Sequence, residues 1–458
     1  MRVYRNEYFR VLYLLFCFIM LFSVWSSNLL SRNYILIGST YVIALTICAV
    51  LPKQIFFSWP FWIINVTGFI RFLLIPYVDV NQSSYVFINF IEIIAVYSTF
   101  ILYSIRLSGK EVNDINDFVY IKENESNVDN VLGVASVFII IIGGIIIGSN
   151  RQVLQQYFML STSKNIVTFS NGFFALVVSA LFLIALIVAM NWIDKLTFFP
   201  EFIKILLMIC ISIFYINGAS ITGDNVSRWG LLISSMVVYY FIISFYPGKK
   251  KMLLLILGVG LGVIITYGTL YKFNLVSVNK YSSLNESMKD MFSIDTLNSY
   301  FAGPYSMKYG METHRKFLSI SSVLTTFISD TFANFPLLNK YLSNSEMTSM
   351  TIYNYQIYHS SIAMDKIMPL AIQYYNYLGI FFFIPEMMTV YFALKCNMLL
   401  RKNRNMLQTF CLVTGMIVLS LINCINYTII CQYFWIQILP IYIIYKVNRW
   451  VVMRKQVR

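Results

Sequence analysis

The chain has 458 residues, of which 58% are hydrophobic and only 12% are charged. A soluble domain of this length would need far more charged surface, so the composition indicates a membrane protein with several transmembrane helices. The formal charge of +14 does not indicate nucleic-acid binding, because the basic residues stand at the ends of apolar stretches and form no aromatic-interleaved patch.

The apolar stretches predict the transmembrane helices. A bilayer core needs about 20 apolar residues per helix, and the sequence offers about twelve such stretches. They are Phe9–Trp25, Tyr34–Leu51, Ile55–Tyr77, Tyr85–Ile105, Val131–Ser149, Gly172–Trp192, Phe202–Ile216, Gly230–Tyr246, Met252–Tyr271, Met368–Leu394, Met406–Cys424 and Tyr427–Tyr445. No cleavable signal peptide is expected, because the first stretch is long enough to remain as an anchor. We therefore predict an all-α, polytopic membrane protein.

The basic residues predict the orientation of these helices. With a cytoplasmic N-terminus, most lysines and arginines fall on the cytoplasmic side, including the triplet Lys249–Lys251 and the basic C-terminal tail. The short loops on the opposite side hold only Arg32, Arg151, Lys164 and Arg228. Both termini are therefore expected in the cytoplasm.

One long hydrophilic segment divides the chain. Residues 1–271 hold the first nine predicted helices, residues 272–366 form a large extracytoplasmic loop, and residues 367–458 hold the last three helices and the basic tail. None of the seven cysteines lies in this loop, so a disulfide framework there is excluded. Within it, Phe317–Phe335 is apolar but interrupted by hydroxyl side chains, which predicts an amphipathic helix lying at the membrane surface near residues 317–335.

Arg228 is the first candidate for a functional residue. It follows a short polar segment, Gly223–Ser227, at the outer mouth of a predicted helix. A guanidinium group at this position could bind a lipid diphosphate through paired donors. The alternative is an interfacial arginine that lies beside Trp229 and pairs with Asp224.

The loop contains both histidines of the chain, His314 and His359. Either could act as a general base on a sugar hydroxyl, because histidine titrates near neutral pH. His359 is the better placed of the two, since a helix begins near Met368, whereas His314 could belong to a solvated charge cluster. Tyr300 and Tyr305 offer flat surfaces on which sugars stack, although each is also explained by packing.

Arg71 and Glu92 are charged residues at similar depth within consecutive predicted helices. Intramembrane charges are costly and face a partner or a cavity, so a structural ion pair is favoured. The alternative is that Arg71 lines an outer cavity and binds phosphate, a role for which Arg151 and Arg315 are further candidates. The sequence has no nucleotide-binding loop and no metal-ligand spacing, so neither a cofactor nor a metal is expected.

Taken with these residues, the topology resembles that of the Wzy-type O-antigen and capsular repeat-unit polymerases. The resemblance rests on Gly223–Arg228, on Tyr300–Tyr305, and on His359–Ser360 followed by Asn376–Ile380. It implies glycosyl transfer between undecaprenyl-diphosphate-linked oligosaccharides at the outer leaflet of a bacterial inner membrane. It also implies membrane lipids as surroundings, with a chain-length regulator and a flippase as partners, and no nucleic acid.

Two other classes of membrane protein compete with this interpretation. A flippase for lipid-linked oligosaccharides would have a similar number of helices, but its loops would be short and even. A multispanning acyltransferase would place its histidines near the cytoplasmic face, where this chain has none. The long outer loop favours the polymerase.

Overall fold

The computed structural model describes residues 2–26, 32–74, 83–108, 133–149, 172–222, 225–226, 228–249, 252–253, 255–256, 259–260, 289, 293–314, 319–332, 335, 338, 348–359, 366–401 and 405–457. The first half of the chain contains α1 (Arg2–Ser26), α2 (Arg32–Cys48), α3 (Lys53–Phe56), α4 (Trp59–Leu74), α5 (Ser83–Ser108), α6 (Val134–Ser149), α7 (Gly172–Lys195), α8 (Glu201–Ser220) and α9 (Arg228–Phe245). A small antiparallel ladder, β1 (Ile221–Thr222) and β2 (Asn225–Val226), connects α8 to α9.

The second half of the chain is also helical. It contains α10 (Ile294–Tyr300), α11 (Pro304–Thr313), α12 (Ile320–Phe332), α13 (Ser349–Tyr358), α14 (Leu370–Leu378), α15 (Phe383–Leu400), α16 (Met406–Ser420), α17 (Tyr427–Tyr433) and α18 (Leu439–Val457). A 3₁₀ turn, Gly379–Phe382, joins α14 to α15, and a π-helical turn, Phe434–Ile438, joins α17 to α18. The predicted helical fold is confirmed for the described part of the chain.

The twelve predicted transmembrane helices are confirmed only in part. Among the described residues, five apolar helical segments are long enough to cross a membrane: Glu7–Val24, Val86–Leu107, Leu176–Lys195, Leu370–Leu400 and Tyr427–Val451. Five shorter apolar helices accompany them, Ile35–Cys48, Trp59–Leu74, Val134–Ser149, Trp229–Phe245 and Met406–Ser420. The predicted span Phe202–Ile216 lies within α8, and Met252–Tyr271 lies mostly outside the described residues.

Capping side chains define where several helices of the second half begin. The side chain of Asn405 accepts hydrogen bonds from the backbone N–H groups of Leu407 and Gln408, at 3.0 and 3.2 Å, and so starts α16. Asn426 does the same for α17 through Ile429, at 2.9 Å. Each cap satisfies backbone donors that a helix N-terminus leaves unpaired.

Two large apolar cores hold the described helices together. One is built mainly from α7, α8, α9, α16 and α18. The other joins α1, α2, α4 and α5 to Met307 of α11, Tyr353 of α13 and Ile372 of α14. Helices of the predicted extracytoplasmic loop therefore share a core with the apolar helices of the first half, and are not a separate hydrophilic unit.

The apolar segment Leu370–Leu400 is not one straight helix. The hydroxyl groups of Tyr374 and Thr389 lie 3.3 Å apart although the residues are 15 positions apart. In a straight helix their Cα atoms would be separated by about 22 Å, which these side chains cannot bridge. The chain reverses at Gly379, whose φ of 57° and ψ of −131° favour glycine. α14 therefore runs antiparallel to the first half of α15.

The turn at Gly379 marks one end of the helix bundle, which we call the Gly379 end. α15 starts there, and α5 runs parallel to it. Tyr103 of α5 packs on Tyr391 of α15 with ring centroids 5.5 Å apart, and Glu92 and Glu386, which precede these tyrosines in their helices, interact electrostatically. α4 runs antiparallel to α5 and reaches its last turn near this end. His314, His359 and the Arg71–Glu92 pair, described next, lie at or near the Gly379 end.

Candidate functional site

Three short helices, α11, α13 and α14, run parallel toward the Gly379 end. The Tyr353 hydroxyl donates to the Ser306 carbonyl at 3.2 Å, and the Gln356 amide donates to Glu312 at 3.4 Å, so α13 follows the direction of α11. On the other side, α11 packs on α14 so closely that a Cβ atom at Gly310 would lie 2.7 Å from Cγ2 of Ile372. The C-terminal ends of the three helices therefore lie together.

His314 ends α11 and is held by α14. Its Nδ1 atom lies 3.0 Å from Oδ1 of Asn376, and its ring packs on Tyr375 with centroids 4.7 Å apart. Asn376 is 2% exposed, and its Nδ2 donates to the Thr313 hydroxyl at 3.5 Å, which turns Oδ1 toward the histidine. Since Oδ1 can only accept, this contact favours the neutral tautomer that carries the proton on Nδ1 and the lone pair on Nε2. The half-buried imidazole is thus held in one orientation, between Asn376 and Tyr375.

His359 lies at the C-terminal end of the neighbouring α13. It is exposed and adopts a left-handed backbone conformation, with φ of 51° and ψ of 28°, and its N–H donates to the Tyr355 carbonyl at 2.8 Å. This is the geometry of a helix C-cap. The structure brings both histidines to the same end of a parallel helix pair, although only His314 has its imidazole fixed by a described side chain.

The two candidate tyrosines lie near the opposite end of α11. Tyr300 is half-buried, with its ring 6.3 Å from that of Trp229, at the beginning of α9. Tyr305 is 37% exposed in the first turn of α11. α11 spans ten residues, so about 15 Å of helix separates Tyr305 from the His314 end. The tyrosines and the histidines are therefore not in one contact cluster.

Lys366 is a half-buried cation that the sequence did not single out. Its Nζ donates to the Ser299 hydroxyl at 3.0 Å. Its backbone N–H and C=O are both bound by the side chain of Asn354, at 3.0 and 2.9 Å. Within the described residues, the single ion pair is the one formed by Arg71 and Glu92, so no described carboxylate neutralises Lys366. An ammonium group held in this way suits an anionic ligand.

Asp330, Ser349, Gln373 and Tyr377 form a buried hydrogen-bonded group, the Asp330 cluster, which joins α12, α13 and α14. The carboxylate of Asp330 accepts from the Ser349 N–H at 3.2 Å, from the Gln373 amide at 3.1 Å and from the Tyr377 hydroxyl. Gln373 also accepts from the N–H of Tyr427 at 2.8 Å, which links α17. Burial raises the pKa of the Asp330 carboxyl, while the hydrogen bonds from Tyr377 and Ser349 act in the opposite direction.

Arg71 and Glu92 form the ion pair predicted from the sequence. The guanidinium binds both carboxylate oxygens, at 2.5 and 2.6 Å, and also donates to Asn89 and, at 3.3 Å, to Asn423. The Arg71 side chain is 8% exposed and that of Glu92 is 5% exposed. Both Nη atoms are thus committed to protein acceptors, and a phosphate would have to displace them.

A small cavity of about 40 Å³ adjoins this pair and is also lined by Tyr41, Gly68 and Asn423. It has room for water molecules and is too small for a sugar. Glu386 in the first turn of α15 is fully buried nearby, and neither of its carboxyl oxygens has a hydrogen-bond partner among the described residues. It interacts electrostatically with both Glu92 and Arg71.

Three candidate arginines lie wholly or partly outside the described residues. Arg151 and Arg315 lie outside the described residues. Arg228 is the first residue of α9, close in sequence to the Trp229–Tyr300 contact, but its side chain lies outside the described part of the chain. Their contact with phosphate stays a prediction. Among the described residues, no group of three or more His, Cys, Asp or Glu side chains could hold a metal ion.

The sequence placed Asn376 within the family resemblance but did not predict its contact with His314, and it did not single out Lys366; there is a physical reason for each. Asn376 lies 62 positions after His314, so only the fold brings them together. A polar residue within an apolar stretch is nevertheless a signal, since buried polar groups need partners. Lys366 lies just before the same apolar stretch, where a lysine is typical of the end of a transmembrane helix and indicates no specific role.

Comparisons with protein-family models, with curated proteins and with solved structures find no match to this chain.

Proposed function

We propose that the chain is a membrane-bound, metal-independent glycosyltransferase that polymerises oligosaccharide repeat units carried on undecaprenyl diphosphate. The product is a surface polysaccharide such as an O-antigen, a capsule or an exopolysaccharide. The observation that carries this proposal is the imidazole of His314, whose Nδ1 atom is fixed by Asn376. The helical membrane architecture and the resemblance to repeat-unit polymerases support it as well.

The proposed step transfers a glycan from one lipid diphosphate to an acceptor sugar. The Nε2 atom of His314 takes the proton from the acceptor hydroxyl, whose oxygen then bonds to the anomeric carbon of the donor. The bond from that carbon to the diphosphate oxygen breaks, and the lipid diphosphate leaves with the bonding electrons. Asn376 keeps the proton on Nδ1, so that Nε2 remains the acceptor.

The departing diphosphate gains negative charge, which cationic groups stabilise. Arg228, Arg151 and Arg315 are the proposed arginine ligands, and Lys366 is a further cation held by Ser299. Arg71 is a weaker candidate because Glu92 and Asn89 occupy its donors. Tyr300, Tyr305 and His359 are proposed sugar contacts at the two ends of α11 and α13.

The proposed orientation follows from the basic residues. Twelve transmembrane helices would place both termini in the cytoplasm, and residues 272–366 at the outer face of a bacterial cell membrane. Reporter fusions after Lys249 and after Ser343 should then report opposite sides of the membrane. Fusions that report the same side would refute the twelve-helix topology. A flippase and a chain-length regulator are the expected partner proteins, and no nucleic acid is involved.

A flippase for lipid-linked oligosaccharides is the second candidate. The buried cluster of Arg71, Glu92 and Glu386 favours it, because intramembrane charges often mark transport pathways. Deletion of the gene separates the two. A polymerase defect should leave single repeat units on the cell surface, with no long chains. A flippase defect should remove all surface glycan and trap lipid-linked units on the cytoplasmic leaflet.

A further inference from the structure

The helix α12 has its polar and apolar faces reversed with respect to a water-exposed helix. Its buried side chains are Thr326, Ser329 and Asp330, each 2% exposed or less. Its outward side chains include Ile320, Leu324, Phe327 and Ile328, which are 80%, 54%, 40% and 48% exposed. In water this arrangement would expose four large apolar groups and bury a carboxyl, so the outward face indicates apolar surroundings.

Three hydroxyl groups of α12 donate to backbone carbonyl groups of the helix or of the residue just before it. Thr325 donates to the Ser321 carbonyl at 2.9 Å, Ser322 to the Ser319 carbonyl at 2.8 Å, and Thr331 to the Phe327 carbonyl at 2.7 Å. The only charged residue in the helix is Asp330, which is buried in the Asp330 cluster. Polar groups satisfied within the helix are what a hydrocarbon environment requires.

α12 also lies beside an apolar helical segment that is long enough to cross a membrane. Phe327 stacks on Tyr427 at 5.6 Å, and Thr331 contacts the Tyr427 hydroxyl at 3.1 Å. Further along, Phe332 stacks on Trp435 at 5.6 Å, and the Trp435 indole donates to the Thr331 carbonyl at 2.7 Å. α12 therefore runs parallel to the first turns of the segment Tyr427–Val451. Its end packs on Trp435, which lies about 12 Å along that segment from Tyr427.

We propose that α12 is embedded in the outer leaflet, with its apolar face against the acyl chains of membrane lipids. Its 13 residues extend about 20 Å, which is too short to cross a bilayer core, so it enters the leaflet and does not traverse it. The apolar surface continues across the Gly379 turn, where Ile380 and Phe381 are 55% and 59% exposed. The sequence predicted a helix lying on the membrane surface near residues 317–335. In this proposal α12 instead enters the outer leaflet beside α17.

The opposite side of the same segment has a different chemistry. α13 exposes Tyr355, Tyr358 and His359, and α11 exposes Lys308, so water is the expected surroundings there. The Asp330 cluster separates the two sides. The embedded helix thus holds the histidine-bearing helices against the bilayer, at the depth where a lipid-linked headgroup would lie. The lipid contact itself does not depend on the proposed glycosyl transfer.

Spin labels at single cysteines test the proposal in proteoliposomes. The background carries Cys210→Ala and Cys396→Ala, because the other five cysteines are buried. Leu324→Cys and Ile328→Cys are the test positions, Phe392→Cys on the exposed face of α15 is the lipid control, and Tyr355→Cys is the aqueous control. Relaxation by oxygen, which partitions into lipid, is compared with relaxation by a water-soluble nickel complex.

Labels at 324 and 328 should match the Phe392 control, with oxygen dominating. Ratios that match the Tyr355 control would overturn the proposal in favour of an aqueous face. Shielding from both reagents would overturn it in favour of a protein partner. As a second measurement, Ile328→Asp should lower the yield of inserted protein roughly tenfold, whereas Tyr355→Asp should not. Neither measurement depends on polymerase activity. Both therefore test the lipid contact of α12 even if the protein does not catalyse the proposed glycosyl transfer.

Discussion

Asn376 fixes the imidazole of His314: its side-chain carbonyl oxygen lies 3.0 Å from Nδ1, although the two residues are 62 positions apart in the sequence. The asparagine is buried, whereas the histidine is half-buried and keeps Nε2 available. This pair is the one arrangement among the described residues in which an imidazole is fixed by another side chain. It is therefore the first target for mutation.

Asn376→Ala should lower the rate of chain elongation roughly tenfold, because the imidazole loses the acceptor that selects its tautomer. Elongation of purified lipid-linked repeat units is the measurement. Asn376→Asp keeps the acceptor and should retain most of the rate. If the two residues act as one unit, His314→Ala and the double variant with Asn376→Ala should be equally slow. Additive losses would show that Asn376 acts independently of the histidine.

His359→Gly separates the two histidines without disturbing α13. Glycine adopts the left-handed conformation of the C-cap at least as readily as histidine does, so the helix end should be kept while the imidazole is removed. Elongation should remain much faster than in His314→Ala. A loss as large as that of His314→Ala would instead assign the base to His359.

The two buried glutamates near Arg71 should respond in opposite ways to the same substitution. Glu92→Gln breaks a two-point ion pair and leaves the guanidinium without its carboxylate, which should destabilise the protein by roughly 3 kcal/mol. Glu386→Gln removes a buried carboxyl that has no hydrogen-bond partner among the described residues, and should leave stability unchanged or higher. Thermal unfolding in detergent measures both. Equal destabilisation would mean that Glu386 carries a structural contact.

The sequence could predict the features that depend on neighbouring residues, but not those that depend on contacts between distant segments. Apolar stretches are local, and the predicted ranges coincide with helices such as α5 and α16. The Arg71–Glu92 pair was also predictable, because opposite charges at similar depth in consecutive apolar helices are stabilised by forming an ion pair. The reversal at Gly379 was not, because α14 and α15 form one continuous apolar stretch in the sequence. Periodicity likewise groups Ile320, Leu324 and Phe327 on one face of α12, but it does not say which face is buried.

Gly310→Ala tests the close packing of α11 on α14. The added methyl group would lie 2.7 Å from Cγ2 of Ile372, so overpacking should cost about 1–3 kcal/mol of stability. Ile372→Val, combined with Gly310→Ala, should recover part of the loss. Gly144→Ala is the matched control, because nothing lies within 4 Å of a Cβ atom there. Its effect should be neutral or stabilising, by up to about 1 kcal/mol.

The Asp330 carboxyl should make stability depend on pH. Its pKa is raised by burial, so the folded state binds a proton more tightly than the unfolded state does. Protonation of Asp330 therefore stabilises the folded state fully below the ordinary carboxyl pKa of about 4. This stabilisation is lost as the pH rises toward the raised pKa of the folded state. The stability difference between the wild type and Asp330→Asn, measured by thermal unfolding, should fall as the pH rises from about 4. A constant difference would contradict the raised pKa.

The reversal at Gly379 has a consequence for the order in which the chain enters the membrane during synthesis. The nine residues of α14 are too few to cross a bilayer and carry Gln373 and Asn376, so the insertion machinery would not retain them as an independent helix. They are held in place only once α15 is anchored and α17 supplies the N–H group that binds Gln373. We expect a chain released before Met406 to leave the His314 region open to added protease, and the complete chain to protect it. The site would thus be assembled last, by the final helices to leave the ribosome.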